Sequence, residues 1–232
     1  CFVSSSMAVG LAKKTGARLH VFHLSTAREL ALFSNNLPLK DKKITSEVCI
    51  HHLTFSDQDY DKYGSKIKWN PAIKTSNDRE MLWSGLNNNL IDVIATDHAP
   101  HTIEEKNNSY TKCPSGGPLV QHSLVSILEG FHNDKISLEK IIEKMCHNPA
   151  ILFDIKKRGY IREGYYADLV IFNLNDSWKV SKENLLYKCL WSPFENKVFK
   201  SRILYTFVNG NIVYSNGIIN DSKLGMKIKF KR

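Results

Sequence analysis

The amino-acid sequence predicts an α/β fold, with a partial eight-fold β/α barrel over residues 1–150 and a small β unit over residues 151–232. Three observations predict it. Apolar runs of strand length alternate with helix-like segments through the first part, the pattern of a parallel sheet with crossover helices. After Ile151 the pattern turns to β, with Asn209-Gly210 a strong hairpin signal. A complete barrel of this kind takes about 250 residues, so only its later β/α units are accommodated here.

Residues 4–15 read as a helix, with serines to cap it and Gly16 to end it. Arg18 to Leu24 is long enough for a buried strand. Thr26 and Glu29 have capping-box spacing, which starts a helix reaching Phe33. Pro38 marks the polar stretch from Asn35 to Lys43 as a loop, and Ile44 to Ile50 is the next strand. A short strand is expected at Lys66–Trp69, ended by Asn70-Pro71. Asn77 and Glu80 repeat the capping-box spacing and open a helix through Leu86, and Asp92 to Thr96 supplies a third strand. From Asp97 to Pro118 the chain is polar and rich in Gly, Pro and Asn; a loop of that length is usually functional or disordered. Helical periodicity returns at Val120–Phe131 and Leu138–Met145, and β character at Ala167–Phe172 and Ile203–Tyr214.

Composition narrows the function classes. Hydrophobic residues make up 42% and charged residues 24%, which supports a packed core. No run has the length of a bilayer-spanning helix and no signal pattern is present, so a membrane role is not expected. The net charge of +9 invites a nucleic-acid reading, but the lysines are dispersed rather than gathered into a stripe. The one dense patch, Lys223 to Arg232, is expected to solvate the C-terminus. Five cysteines, odd in number and without a Cys-x-x-Cys pair, give no disulfide framework or zinc ribbon and suit a reducing cytoplasm. The start at Cys1, with Ser4–Ser6 leading straight into a helix, predicts a cut through a longer protein.

Three strand candidates end in groups that bind metals: His23, the pair His51-His52, and the pair Asp97-His98. In a β/α barrel the C-terminal strand ends ring one mouth, so ligands distant in sequence converge. Imidazole and carboxylate suit zinc, and an open coordination position lets the metal acidify a water. Any one of these histidines alone is more often a hydrogen-bonded core or surface residue, the role expected for His20 and His52. A lone aspartate after a strand is more often a helix cap. Repetition at three strand ends favours the functional reading.

Those strings carry a resemblance. His20-Val21-Phe22-His23-Leu24-Ser25-Thr26 resembles the strand-five motif of the amidohydrolase superfamily, and Glu47-Val48-Cys49-Ile50-His51-His52-Leu53 is similar to its strand-six motif. Ala95-Thr96-Asp97-His98-Ala99-Pro100-His101 looks like the strand-eight motif in the form typical of dihydroorotases. Lys68-Trp69-Asn70-Pro71-Ala72 resembles that family's substrate-binding Lys-x-Asn-Pro-Pro segment. Gly164 to Phe172 resembles the β-sandwich segment of many amidohydrolases.

The resemblance implies a partial TIM-type barrel followed by a small β-sandwich segment, and reversible zinc-dependent hydrolysis of dihydroorotate to N-carbamoyl-L-aspartate in pyrimidine synthesis. It implies that His23 and His51 bind one Zn2+ of a two-metal centre, and that Asp97 binds the other and serves as catalytic acid and base. Asn70 and His101 would bind substrate, and the turn at Gly116 and Gly117 would bring backbone close to it. The substrate is a small molecule, and the implied protein partners are a second copy or a transcarbamoylase; nucleic acid and membrane are not among them. Ile50 and Ala72 stand where the family usually has proline. The family's strand-one His-x-His, its carboxylated bridging lysine and an arginine belong upstream of Cys1, and no strand candidate here carries a His-x-His. The isolated chain is therefore expected to be inactive. A hydantoinase or allantoinase, and a non-catalytic scaffold, are the rival readings.

Overall fold

The structure, a computed structural model, describes residues 1–222 and 225–231. Helix α1 (Phe2–Thr15) has no side-chain cap at Cys1 and stops at Gly16, whose φ of 73° is left-handed. The serines expected to cap it lie inside it, and Ser5 donates instead to Glu29 Oε1 at 2.6 Å. Strand β1 (Leu19–Val21) follows. The Thr26–Glu29 capping box forms as expected, but it opens a 3-10 helix, Ala27–Leu32. Strand β2 (Ile44–Cys49) runs directly into α2 (Ile50–Thr54), and α3 (Tyr60–Tyr63) follows.

At Lys66–Trp69, where a strand was expected, the chain instead ends a 3-10 helix at Ile67. A strand needs a neighbour to pair with, and the Lys68 carbonyl accepts from the Gly116 N–H in a different segment. Helix α4 (Ser76–Asn87) is capped by Thr75 with Asp78, not by Asn77 with Glu80, although both pairs have the required spacing. Strand β3 (Val93–Ala95) completes a parallel sheet of order β1-β2-β3, with Leu19 opposite Ile44 and Glu47 opposite Val93.

The polar stretch after β3 contains one short helix, α5 (Ile103–Lys106). Then come α6 (Ser123–His132), α7 (Leu138–Ile142), a π-helical turn at Glu143–His147 and α8 (Asn148–Leu152). The 150/151 boundary falls inside α8. The strands that follow are β4 (Leu169–Asn173), β5 (Trp178–Lys179), β6 (Val198–Phe199), β7 (Arg202–Val208), β8 (Asn211–Ser215) and β9 (Ile218–Ile219). These make an antiparallel sheet of order β4-β7-β8-β9 and a separate β5-β6 pair. Asn209 (φ 53°) and Gly210 (φ 82°) turn β7 into β8, as two left-handed residues must in the tight hairpin foreseen from the sequence.

Val48, Ile50 and Ile94 join Leu82 and Leu86 of α4 and Val125, Ile127 and Leu128 of α6 in one core. The segment from Val180 to Phe199 enters the same core through Leu185, Tyr187 and Phe194. Lys223, Leu224 and Arg232 of the basic tail lie outside the described residues. The rest of that tail is tied down: Lys156 N donates to Lys229 O and Lys231 N to Asp154 O. Among the described residues no helix is long and apolar enough to cross a membrane.

Candidate metal and substrate site

The three parallel strands bring their C-terminal ends to one mouth, and each expected ligand follows its strand within two residues. His23 and Asp97 both have left-handed backbone, with φ of 41° and 49°. Such a conformation costs about 1–3 kcal/mol for a residue with a Cβ, and it clusters where geometry serves function. His51 lies in the first turn of α2 and is fully buried. Its ring stacks on Trp69 at 4.5 Å and 11°, and it lies 4.1 Å from the His52 ring.

Among the described residues neither ring nitrogen of His51 meets a partner in good hydrogen-bonding geometry, although the ring interacts with the Thr96 backbone. An unpaired buried donor costs about 1–3 kcal/mol, so a ring left in this state is suited to receive a ligand. Burial holds the His51 pKa well below the ordinary imidazole range, with the neighbouring His52 and His23 acting in the same direction and the Thr96 backbone opposing them. A neutral imidazole is the form that binds metals. His52 is held down to about 3, again by burial, and its Nε2 lies 3.1 Å from the Pro71 carbonyl.

Asp97 is half-buried, and burial raises its pKa; His23 opposes the rise and Glu47 adds to it. Glu47 is itself held by His20, whose Nε2 is 3.1 Å from its carboxylate while Nδ1 is 2.9 Å from Thr45 Oγ1. His20 thus has the hydrogen-bonded structural role expected of it. Two imidazoles and a carboxylate are donors that suit a divalent cation. Among the described residues, however, no three His, Cys, Asp or Glu side chains lie close enough together to hold an ion, so these three do not close a site by themselves.

The expected substrate residues sit on two neighbouring segments. Asn70 is exposed beside buried Trp69. His101 Nε2 lies 3.1 Å from the Ser115 carbonyl, with Nδ1 3.6 Å from Glu105. Gly116 has φ of 117°, and a Cβ there would meet the Ala99 oxygen at 2.5 Å. The Gly116 N–H, expected to approach substrate, is already donated to Lys68 O at 2.9 Å. At Gly117 a Cβ would lie 2.8 Å from the Trp69 ring, so glycine there admits the indole that stacks on His51.

Several contributors went unseen in the sequence. Leu119 N donates to His98 Nδ1 at 3.0 Å, and the His98 ring stacks against Tyr187. Trp191 Nε1 donates to His101 O at 2.7 Å, across 90 residues. The Lys106 side chain is fully buried beneath the glycine turn. His98 and His101 lie in the strand-eight string, but Tyr187, Trp191 and Lys106 have no local motif; only tertiary contacts mark them.

Parallel strands followed within two residues by histidine or aspartate define a β/α architecture with candidate metal ligands at its strand ends. The amidohydrolase family pattern matches residues 4–213, and the chain belongs to the amidohydrolase family. That family is generally metal-dependent. Among curated relatives, a dihydroorotase of Clostridioides difficile (strain 630) is 38% identical over 208 residues, 88% of this chain and 48% of the relative. A dihydroorotase of Methanosphaera stadtmanae is 35% identical over 91% of this chain and 48% of its own length. Among solved structures, L-hydantoinase (dihydropyrimidinase) of Arthrobacter aurescens superposes with a TM-score of 0.84 at 28% identity, covering 93% of this chain and 49% of that one. These likenesses identify the three-stranded sheet and its helices as part of a TIM-barrel-like α/β fold. The chain spans about half the length of the curated relatives it matches.

Proposed function

We propose that the protein carrying this chain is a dihydroorotase, interconverting dihydroorotate and N-carbamoyl-L-aspartate. The observation that carries this reading is the likeness in sequence. Relatives named dihydroorotase are up to 38% identical across 88% of the chain, whereas the L-hydantoinase structure is 28% identical. The Thr96-Asp97-His98-Ala99-Pro100-His101 string supports the same choice.

On this reading His23 and His51 would hold one zinc of a pair, and Asp97 would contact the second, with further ligands needed to complete either site. The unengaged nitrogens of His51 support its part in that set. When bound, such metals supply Lewis acidity toward the substrate carbonyl and toward water. Asp97 accepts a proton from water as the water oxygen bonds to the ring carbonyl carbon. It returns that proton to the ring nitrogen as the C–N bond breaks, and the reverse sequence closes the ring. Asn70, His101 and Gly117 bind the ring and its carboxylate, while Gly116 supplies the backbone shape that brings the turn against Ala99. In the whole protein the β4-β7-β8-β9 sheet belongs to a small β-sandwich, and the reaction takes place in the cytoplasm.

The solved neighbours favour a second reading, a hydantoinase acting on another cyclic amide. Assaying the gene product that contains these residues, with zinc supplied, separates the two. Ring closure of N-carbamoyl-L-aspartate is the expected result. Turnover of hydantoin or allantoin without turnover of dihydroorotate would overturn the proposal.

A further inference from the structure

At the end of α5 sits a lysine with no exposed surface and, among the described residues, no carboxylate partner. Lys106 Nζ donates to three backbone carbonyls: Pro114 O at 2.9 Å, Gly116 O at 2.9 Å and Lys68 O at 3.4 Å. An ammonium has three N–H donors, so each is matched to one acceptor. Burying that charge is unfavourable unless its donors are satisfied, and a serine or glutamine would not reach all three carbonyls. The acceptors come from two segments far apart in sequence. Lys68 precedes Trp69 and Asn70, while Pro114 and Gly116 lead into Gly117.

The surrounding contacts fix the lysine itself. Thr102 and Glu105 form a capping box at the start of α5, and the Ser65 hydroxyl donates to the Lys106 carbonyl. The Trp191 ring lies 6.0 Å from the ammonium, and the Trp191 N–H holds the His101 carbonyl at 2.7 Å. Lys68 reaches the opposite way, donating from Nζ to Tyr110 O and Cys113 O, both at 2.6 Å. The Lys68 carbonyl accepts from the Gly116 N–H as well as from Lys106. Two lysines therefore cross-stitch the polar segment after β3 onto the Lys68–Asn70 stretch.

We propose that Lys106 is a positioning residue, holding in fixed register the three stretches that carry Asn70, His101 and Gly117. The latch is read from geometry alone; its bearing on substrate rests on the dihydroorotase reading above. The sequence gives Asp97 to Pro118 the composition of a mobile loop. Lys106 converts the later part of it into an ordered wall of the site.

Hydrogen exchange measured on the gene product that contains this chain, without added metal or substrate, tests the latch separately from the activity. In Lys106→Met, protection of amides 107–117 is expected to fall about tenfold or more, the loss of roughly one hydrogen bond to a charged group. Amides of β2 and α6 should keep their protection. Lys106→Gln retains a shorter donor and should restore part of the loss. Lys144→Met removes another fully buried lysine, bonded to Asn89 Oδ1 and Ile91 O, and should leave 107–117 unchanged. The proposal is overturned if 107–117 exchanges alike in Lys106→Met and the parent chain, or if the loss spreads evenly over the fold. Failure of both Lys106 variants to fold would also overturn it, since the lysine would then serve the whole domain.

Discussion

Replacing Gly117 with alanine forces a methyl group into the stack that holds His51. The added Cβ would stand 2.8 Å from Cζ2 of Trp69 and 3.3 Å from Cη2 of Trp191. Carbon atoms settle at about 3.5–4.0 Å, so the Trp69 ring must retreat by about 0.7 Å. It has little room to do so. Trp69 is 2% exposed, its ring lies flat on His51 at 4.5 Å, and His51 is backed by the His52 ring at 4.1 Å. Overpacking of this kind costs about 1–3 kcal/mol, and a domain of this size loses roughly 2–4 °C of Tm per kcal/mol. Gly117→Ala should therefore melt about 6 °C lower, with a changed indole fluorescence and a shifted His51 imidazole resonance. Gly10 in α1, with nothing within 4 Å of its missing Cβ, provides the contrast. Gly10→Ala should raise stability by about 0.5–1 kcal/mol. A Gly117→Ala protein melting within about 1 °C of the parent, with unchanged fluorescence, would refute the coupling of the glycine turn to His51.

Other perturbations follow from buried charges. Lys42 Nζ and Asp92 Oδ1 are 2.7 Å apart with side chains 7% and 3% exposed, and Asp92 Oδ2 accepts from Ser46 N. Lys42→Met should lose about 3–5 kcal/mol in urea unfolding, and adding Asp92→Leu should recover most of it, because the cost lies in the orphaned charge. Equal losses in single and double variants would contradict this. His122 is fully buried, with Nδ1 3.0 Å from the Tyr187 hydroxyl, and burial pushes its pKa down to about 4. The unfolded histidine binds its proton near pH 6.5, so the unfolded state gains protons first as pH falls. Stability should drop by about 3 kcal/mol in all between pH 6.5 and 4, then level off for this group. His122→Phe should lose that part of the slope; an unchanged slope would assign the acid sensitivity elsewhere.

What could be read from the sequence was what is encoded locally. The strand ends carrying His23 and Asp97 lie within seven-residue strings, and the β7–β8 hairpin follows from Asn209-Gly210 alone. Helix α4 shows where local reading falters. Thr75–Asp78 and Asn77–Glu80 both have capping spacing, and Asp78 is favoured by accepting the Ala27 N–H at 2.8 Å, from 51 residues away. The expected strand at Lys66–Trp69 fails for the same reason, since the Lys68 carbonyl accepts from Lys106 Nζ and the Gly116 N–H, both distant in sequence. In the candidate site, His51 was legible as a donor, but not its burial against Trp69. The Gly116 turn was legible, but not the diversion of its N–H to Lys68. Those facts depend on side chains that meet only in the folded chain.

The most direct test is ring closure of N-carbamoyl-L-aspartate by the zinc-supplied gene product, measured for the parent protein beside Asp97→Asn. The expected result is dihydroorotate formation by the parent and a loss of about 10²–10⁴-fold in the variant, with the same melting curve. Activity within tenfold of the parent in Asp97→Asn, or a parent that acts on hydantoin but not on dihydroorotate, would contradict it.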